Sequence, residues 1–453
     1  MEKRRYQYRR TIMFACRMSL MGSMAGIFVL IWSLFYQQAR FFRKGNYIVI
    51  GIYCVIYFLF NTMYGGFRTG VARHGEVLYS NAIALIFTDL LLYFQLSLFA
   101  RALLPPEPML LMWALQFAAS AILTYFSNSI YFKIYPVRDV LFICRNVDNE
   151  ERFMQKIKSI KERYHLKRIM TQDKEVSAIK EGILQVNCVM ISDVDLSLRN
   201  ELVEFCYEHS IRVYIMPNVE DIMLNTAQST HIFDTPVLLC KNYQLTNEQR
   251  IWKRAVDILL SSLGLLAASP IMLLEALAIK LYDGGPVFYR QERLTYNNQV
   301  FRLYKFRSMV VNAEADGVAR LASKGDNRIT PLGRFLRSTR LDELPQLINI
   351  LRGEMSVVGP RPERPELVEK NIQRYPEFKY RTKVKAGLTG YAQVYGKYNT
   401  TPEDKLKMDL LYIERYSILL DLKLMFLTFK ILFQPDAAEG VDDWEQRPRG
   451  RTD

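Results

Sequence analysis

Apolar residues follow three different rhythms along this chain, and each rhythm predicts a different kind of element. Near the start, four almost continuous apolar segments run roughly from Thr11 to Tyr36, Tyr47 to Met63, Leu78 to Ala100 and Met109 to Phe132. Each is about the length needed to cross a hydrocarbon layer roughly 30 Å thick. They predict a bundle of four transmembrane helices over residues 1–135. From Val140 to about Pro217 the rhythm shortens, and the β-branched runs VLFIC (Val140 to Cys144), KRIM (Lys167 to Met170), CVMIS (Cys188 to Ser192) and VYIM (Val213 to Met216) alternate with amphipathic stretches such as Arg152 to Arg163 and Asn200 to Glu208. That alternation predicts a doubly wound, Rossmann-like α/β domain over residues 136–245. Val219 to Arg250 has no strong period and reads as a connector. Residues 246–453 mix helical and strand periods and predict an α+β domain.

The next long apolar run, Ala255 to Ile279, carries Ser269 and Pro270 near its centre. Proline removes a backbone donor and clashes with the preceding turn, so a bend or break is expected there. Either this is a fifth crossing, or it enters and leaves one surface as a re-entrant segment over residues 254–280. Basic flanks of the same sign, Lys253 and Arg254 before it and Lys280 after it, favour the second reading, which puts Asp257 and Glu275 near the interface. A β-hairpin follows from Pro286 to Met309, turning at Tyr296 to Gln299, with Lys305 and Arg307 two apart on its second strand. Val311 to Leu321 is polar with helical tendency. The tail from Leu422 to Phe433 reads as lying on a membrane, and the residues after Gln434 read as disordered.

Charge adds orientation. The formal net charge is +14, and beside such apolar runs it points to anionic lipid at a cytoplasmic face rather than to nucleic acid. The basic start (Lys3, Arg4, Arg5, Arg9, Arg10) places the N-terminus in the cytoplasm by the positive-inside rule, although Arg40, Arg43 and Lys44 would then face outward. Asp89, inside the third apolar segment, is an intramembrane carboxylate, for which a hydrogen-bonded partner near Thr88 or Asn81 is expected over a substrate path. The six cysteines contain no CxxC pair and read as reduced structural thiols. After Val140 the turn Arg145 to Asn149 has no glycine, so the middle domain reads as a regulatory or assembly module rather than a dinucleotide site.

The chemistry gathers in LRSTRLDELPQLINILRG, Leu336 to Gly353. Asp342 and Glu343 stand at the head of a short helix whose apolar positions Leu344, Leu347, Ile348 and Leu351 recur at helical spacing, with Pro345 suited to the first turn and Gly353 to the stop. Arg334 and Arg337 lie one turn apart upstream. Two acids among arginines suggest phosphate chemistry with a metal or a carboxylate nucleophile, while simple helix capping explains the same stretch about as well. In SVVGPRPERPE the prolines flanking Arg361 stiffen it, as recognition of a phosphate by a cation requires. KAGLTGYAQV, Lys385 to Val394, supplies glycines for close backbone approach. All four histidines precede this region.

Taken together, KRAVDILLSSLGLLAASP (Lys253 to Pro270), KFRSM, the run from Arg328 to Arg337, LDELPQL, MSVVGPRPE and GLTGYAQV make residues 252–433 resemble the bacterial sugar transferases, the long monotopic polyprenyl-phosphate phosphoglycosyl transferases. The resemblance implies transfer of a sugar 1-phosphate from a UDP-sugar, by expectation a UDP-hexose, to undecaprenyl phosphate, with release of UMP, at the start of capsule, exopolysaccharide or O-antigen synthesis. It implies that Asp342 is the nucleophile of a covalent aspartyl phosphosugar and that Glu343 holds Mg²⁺. Lys305, Arg337 and Arg361 would contact phosphates, and Ser269 and Pro270 would form the break in the membrane segment. It places the catalytic domain on the cytoplasmic side of the bacterial inner membrane, in contact with membrane lipid. A homo-oligomer joined through the N-terminal helices or the middle domain is the expected assembly. Direct transfer without an intermediate, a UDP-N-acetylhexosamine donor, or an inactive scaffold for polysaccharide assembly are the competing readings. Arg340 and Pro331 depart from the family pattern, which leaves the donor sugar and local helix geometry open.

Overall fold

In the computed structural model, residues 2–39, 44–240, 245–311, 313, 326–396 and 400–432 are described. The chain forms two compact units, residues 1–217 and 218–453. The loop residues Arg40 and Arg43, most of the polar stretch Val311 to Leu321, and the tail after Gln434 lie outside the described residues.

The first unit begins with helices α1 (Glu2–Phe35), α2 (Gly45–Tyr64), α3 (His74–Ala100) and α4 (Glu107–Ile134). All four are long and apolar enough to cross a membrane. Their shared interior buries Met24, Phe28, Tyr53, Tyr57, Leu85 and Leu92. Some polar groups inside find one another: Gln116 Nε2 donates to Tyr53 OH at 2.9 Å and Asn81 Nδ2 to Thr124 Oγ1 at 3.2 Å. Asp89 departs from the expectation of a partner. It is buried, yet neither carboxylate oxygen has a hydrogen-bond partner among the described residues. Thr88 instead turns back to the Ala84 carbonyl of its own helix at 2.7 Å.

The α/β part of this unit comprises β1 (Arg138–Cys144), α5 (Glu151–Lys158), β2 (Tyr164–Thr171), α6 (Val176–Leu184), β3 (Cys188–Ser192), α7 (Leu196–Glu208) and β4 (Arg212–Ile215). The four strands pair in parallel in the order β2-β1-β3-β4. β1 and β3 are buried on both faces, which explains their unbroken apolar runs. Ligands of such folds bind where strand order reverses, beyond the ends of β1 and β3. Here Arg145 pairs with Asp195 at 2.6 Å at that place.

The second unit opens with α8 (Val219–Asn225) and the hairpin β5 (Gln228–Ile232) and β6 (Thr235–Leu239), where the sequence suggested only a connector. The unit continues with α9 (Asn247–Asp283), β7 (Phe288–Leu294), β8 (Val300–Phe306), α10 (Pro331–Ser338), α11 (Gln346–Arg352), β9 (Ser356–Val358), α12 (Pro365–Arg374), β10 (Gly387–Thr389), α13 (Tyr391–Tyr395), α14 (Pro402–Glu414) and α15 (Ile418–Leu432). Its core holds Ile222, Val358, Val368, Phe378, Leu406, Leu410 and Leu424. α15 carries the tail that the sequence reads as lying on a membrane. Leu424 and Leu427 are buried in the unit, and Leu419 and Phe429 face outward.

α9 carries the expected site of a bend or break, Ser269 and Pro270, inside one helix. It is a fifth helix long and apolar enough to cross a membrane, and it runs through Ser269 and Pro270 without ending. Pro270 has no N–H to offer the Leu266 carbonyl one turn back. Ser269 Oγ donates to that carbonyl at 2.8 Å, so the acceptor that the proline orphans is satisfied and the helix continues. Both ends of α9 are fastened to the same unit. Near its start Lys253 Nζ reaches Asp421 at 2.6 Å and Asp257 accepts from Ser356 and Val357, both at 2.9 Å. At its end Asp283 accepts a forked pair of bonds from Arg307. Between these points Leu266, Leu273 and Leu274 are exposed. Lys253, Asp257 and Glu275, read from sequence as interface residues, are buried.

Candidate active site

Asp342 and Glu343 do not begin a helix. They lie in a 3-10 turn, Leu341–Glu343, between α10 and α11, and Pro345 directly precedes α11. The turn is entered through Arg340, whose φ of 56° is left-handed, a conformation that costs a side-chain-bearing residue about 1–2 kcal/mol. Gly353 closes α11 at φ 82°, as its position in the sequence suggests. The buried face of α11 carries Gln346, Asn349 and Ile350 rather than the leucines of the helical pattern. Asn349 clamps the helix to β8: its Oδ1 accepts from Tyr304 N at 3.0 Å and its Nδ2 donates to the Arg302 carbonyl at 2.8 Å.

That clamp fixes β8 beside the acids. Lys305, on the same face of β8 as the buried Leu303, donates to Glu343 Oε1 at 3.0 Å. Arg361 donates to the same oxygen at 2.8 Å. Lys305, Asp342, Glu343 and Arg361 therefore meet in one place, with Arg337 within electrostatic reach of Asp342. Arg307, two residues beyond Lys305, turns away to Asp283.

Arg361 is held from three sides. Gly359, Gly387 and Gly390 allow its loop and the GLTG loop to touch backbone to backbone: a Cβ on Gly387 would lie 2.1 Å from Gly359 N, and one on Gly390 2.1 Å from Gly359 O. Hydrogen bonds from Gly359 N to Thr389 O (2.8 Å) and from Gly387 N to Pro360 O (2.9 Å) seal the contact. Arg293 Nη1 donates to the Pro362 carbonyl at 3.2 Å, and Arg381 Nη2 to the Arg361 carbonyl at 3.3 Å. Arg381, itself buried, is anchored on Asp409 at 2.7 Å and Glu363 at 2.9 Å. Nothing in the polar run Pro376 to Lys383 sets Arg381 apart in sequence, since its partners come from distant segments.

The two acids are driven in opposite directions. Burial pushes the Asp342 carboxyl above its ordinary value, with the charge of Glu343 adding to the effect and Lys305, Arg337 and Arg361 opposing it. Burial also acts to raise Glu343, but Lys305, Arg361 and Arg340 outweigh it and hold that carboxyl well below the usual range. Neighbouring titratable groups pushed apart in this way are the mark of divided chemical roles.

One further acid belongs here. Glu275 of α9 is buried, is within electrostatic reach of Asp342, and has no hydrogen-bond partner on either oxygen among the described residues. Its neighbours Met272, Ala276 and Ile279 pack with Leu336, Leu341 and Leu344, which bracket the acid pair. The sequence offers no signal for this beyond a lone carboxylate in an apolar run.

The family model described as bacterial sugar transferase matches residues 248–435. A UDP-glucose:undecaprenyl-phosphate glucose-1-phosphate transferase of Klebsiella pneumoniae is 41% identical over 221 residues, 48% of this chain and 47% of that protein. A UDP-N-acetylgalactosamine-undecaprenyl-phosphate N-acetylgalactosaminephosphotransferase of Aeromonas hydrophila is 41% identical over 183 residues, 40% of this chain and 43% of that protein. The chain thus spans about half the length of these relatives or slightly less. A UDP-glucose:undecaprenyl-phosphate glucose-1-phosphate transferase of Caulobacter vibrioides is 39% identical over 191 residues, 41% of this chain and 71% of that protein. The family model covers the acid pair, its lysine and its stiffened arginine, and the chain belongs to the bacterial sugar transferase family.

Proposed function

We propose that the chain transfers a hexose 1-phosphate from a UDP-hexose to undecaprenyl phosphate in two steps, with Asp342 as nucleophile. The observation that carries this reading is the division of the acid pair. Glu343 takes both cations on one oxygen, and Asp342 is buried beside it with its carboxylate available to attack. Asp342 forms a bond to the sugar-bearing phosphorus, and UMP leaves with the electron pair of the broken P–O bond. Undecaprenyl phosphate then attacks the same phosphorus and returns Asp342 to its carboxylate. A carboxylate approaching a diphosphate needs the charge repulsion relieved, which the cations Lys305, Arg337 and Arg361 near the acid pair would do.

A divalent ion fits this arrangement. Mg²⁺ is commonly held by one or two carboxylates together with substrate phosphates, which is what the adjacent acids Asp342 and Glu343 could offer. Glu343 would hold it, and when bound it would neutralise charge on the diphosphate. The fastening of both ends of α9 to one unit, with apolar side chains exposed between, supports a segment that enters and leaves a single membrane face. Cytosolic sugar nucleotides make that face the cytoplasmic side of the inner membrane.

The test is to supply the purified full chain with UDP-hexose and Mg²⁺ but no lipid acceptor. A mass increase of one phosphohexose on the peptide containing Asp342, lost in Asp342→Asn, is expected. Sequential kinetics with no adduct under turnover conditions would replace this reading with direct transfer. The Aeromonas relative supports testing UDP-N-acetylhexosamines as donors alongside UDP-glucose and UDP-galactose.

A further inference from the structure

We propose that Glu275 is the base that removes the remaining proton from undecaprenyl phosphate as it discharges the Asp342 adduct, an inference that rests on the two-step transfer proposed above. Three observations converge on it. The carboxylate is buried, and neither of its oxygens meets a hydrogen-bond donor among the described residues. Burial without a donor is unfavourable for a carboxylate in the fold alone, so the group is kept for a partner that arrives. It also lies within electrostatic reach of the reacting acid Asp342, and the side chains flanking it on α9 pack against the residues that bracket Asp342.

The third observation is where the lipid comes from. Leu273, Leu274 and Leu277, beside Glu275 on the same helix, are exposed and apolar. One side of this segment is therefore suited to acyl or polyprenyl chains, while Glu275 is buried within electrostatic reach of Asp342. A phosphate carried on a polyprenyl chain along that surface reaches both carboxylates together.

The chemistry calls for such a group. A phosphate monoester loses its second proton with a pKa of about 6, and a low-dielectric surface disfavours the dianion, so part of the acceptor arrives with a proton. Glu343 is a poor candidate to take it, because Lys305 and Arg361 hold its carboxylate. Asp342 carries the adduct at that stage. In the step itself the phosphate O–H proton moves to a Glu275 oxygen and the phosphate oxygen bonds to the phosphorus of the adduct. The P–O bond to Asp342 breaks, its electron pair returning to the Asp342 carboxylate. Glu275 then gives the proton to water.

Rapid-quench measurements on the full chain in lipid vesicles separate the two half-reactions. In Glu275→Gln the adduct on Asp342 is expected to accumulate during turnover, because its discharge by undecaprenyl phosphate slows about 100-fold. Glu275→Asp is expected to recover at least tenfold of that loss. Discharge by Glu275→Gln at the parent rate would overturn the proposal, as would an equal fall in adduct formation and discharge, which marks a structural role. Absence of any adduct in the parent chain would instead overturn the two-step reading, and this proposal with it, whatever the behaviour of the variants.

Discussion

Lys253 Nζ lies 2.6 Å from Asp421 Oδ2, joining residues 168 positions apart in sequence. Both side chains are almost fully buried, and Lys253 also donates to the Val358 carbonyl at 2.9 Å and to Tyr412 OH at 3.1 Å. The start of the membrane-length helix is thereby tied to α15 and to the strand that precedes the Arg361 loop. Breaking a buried ion pair by removing one partner strands the other, at a cost of about 3–5 kcal/mol. Lys253→Met is therefore expected to lower the unfolding midpoint strongly in detergent. Lys253→Met with Asp421→Leu is expected to recover most of the loss, because no charge is then left unpaired. A double variant no better than the single would show that the ion pair is not what binds the helix to the unit.

Ser269 and Pro270 are expected to be energetically coupled. Ser269 Oγ serves the Leu266 carbonyl, for which Pro270 has no N–H. Ser269→Ala should cost about 1 kcal/mol in the parent chain, the worth of one hydrogen bond. In a Pro270→Ala background, where a backbone N–H is restored, the same change should cost close to nothing. Equal costs in the two backgrounds, read from thermal melts, would refute the exchange.

Much of this architecture is legible in the sequence because it depends on local rhythm. The four N-terminal helices follow from apolar length alone, and β1 and β3 from β-branched runs buried on both faces. The stiffness of Arg361 follows from its flanking prolines, and the close glycine contact from GLTG. What escapes is set by partners remote in sequence. The burial of Glu275 and Lys253 shows only once the fold brings Asp342 within electrostatic reach of the one and Asp421 against the other. That Leu424 of α15 joins a core with Val368 of α12 and Leu410 of α14 is likewise invisible in the apolar run alone. The group that bonds the Leu266 carbonyl in place of a Pro270 N–H is set by one rotamer of Ser269, which no periodicity encodes.

Gly387 is expected to control sugar-nucleotide binding without touching the acids. A methyl group there meets Gly359 N at 2.1 Å, backbone against backbone, so the two loops must separate. Gly387→Ala should cost about 1–3 kcal/mol of stability, the usual penalty of overpacking. It should also raise the concentration of UDP-hexose needed for adduct formation, because Arg361 loses its support. An unchanged donor requirement would indicate that the GLTG contact does not position Arg361.

The acid limb of adduct formation should reveal how the neighbours of Asp342 act. The nucleophile must be ionised, and its folded-state pKa is raised, so the rate should fall with decreasing pH at a higher pH than an ordinary aspartate would allow. Lys305 opposes that rise and Glu343 adds to it. Lys305→Met removes a favourable charge, so the limb should move to higher pH. Glu343→Gln removes an unfavourable charge and frees Lys305 and Arg361 to act on Asp342, so the limb of its residual activity should move to lower pH. Opposite displacements in the two variants are the expected result, measured by quenched adduct formation across pH. Displacement in the same direction would mean that the limb belongs to a group other than Asp342, and the assignment of the nucleophile would have to be abandoned.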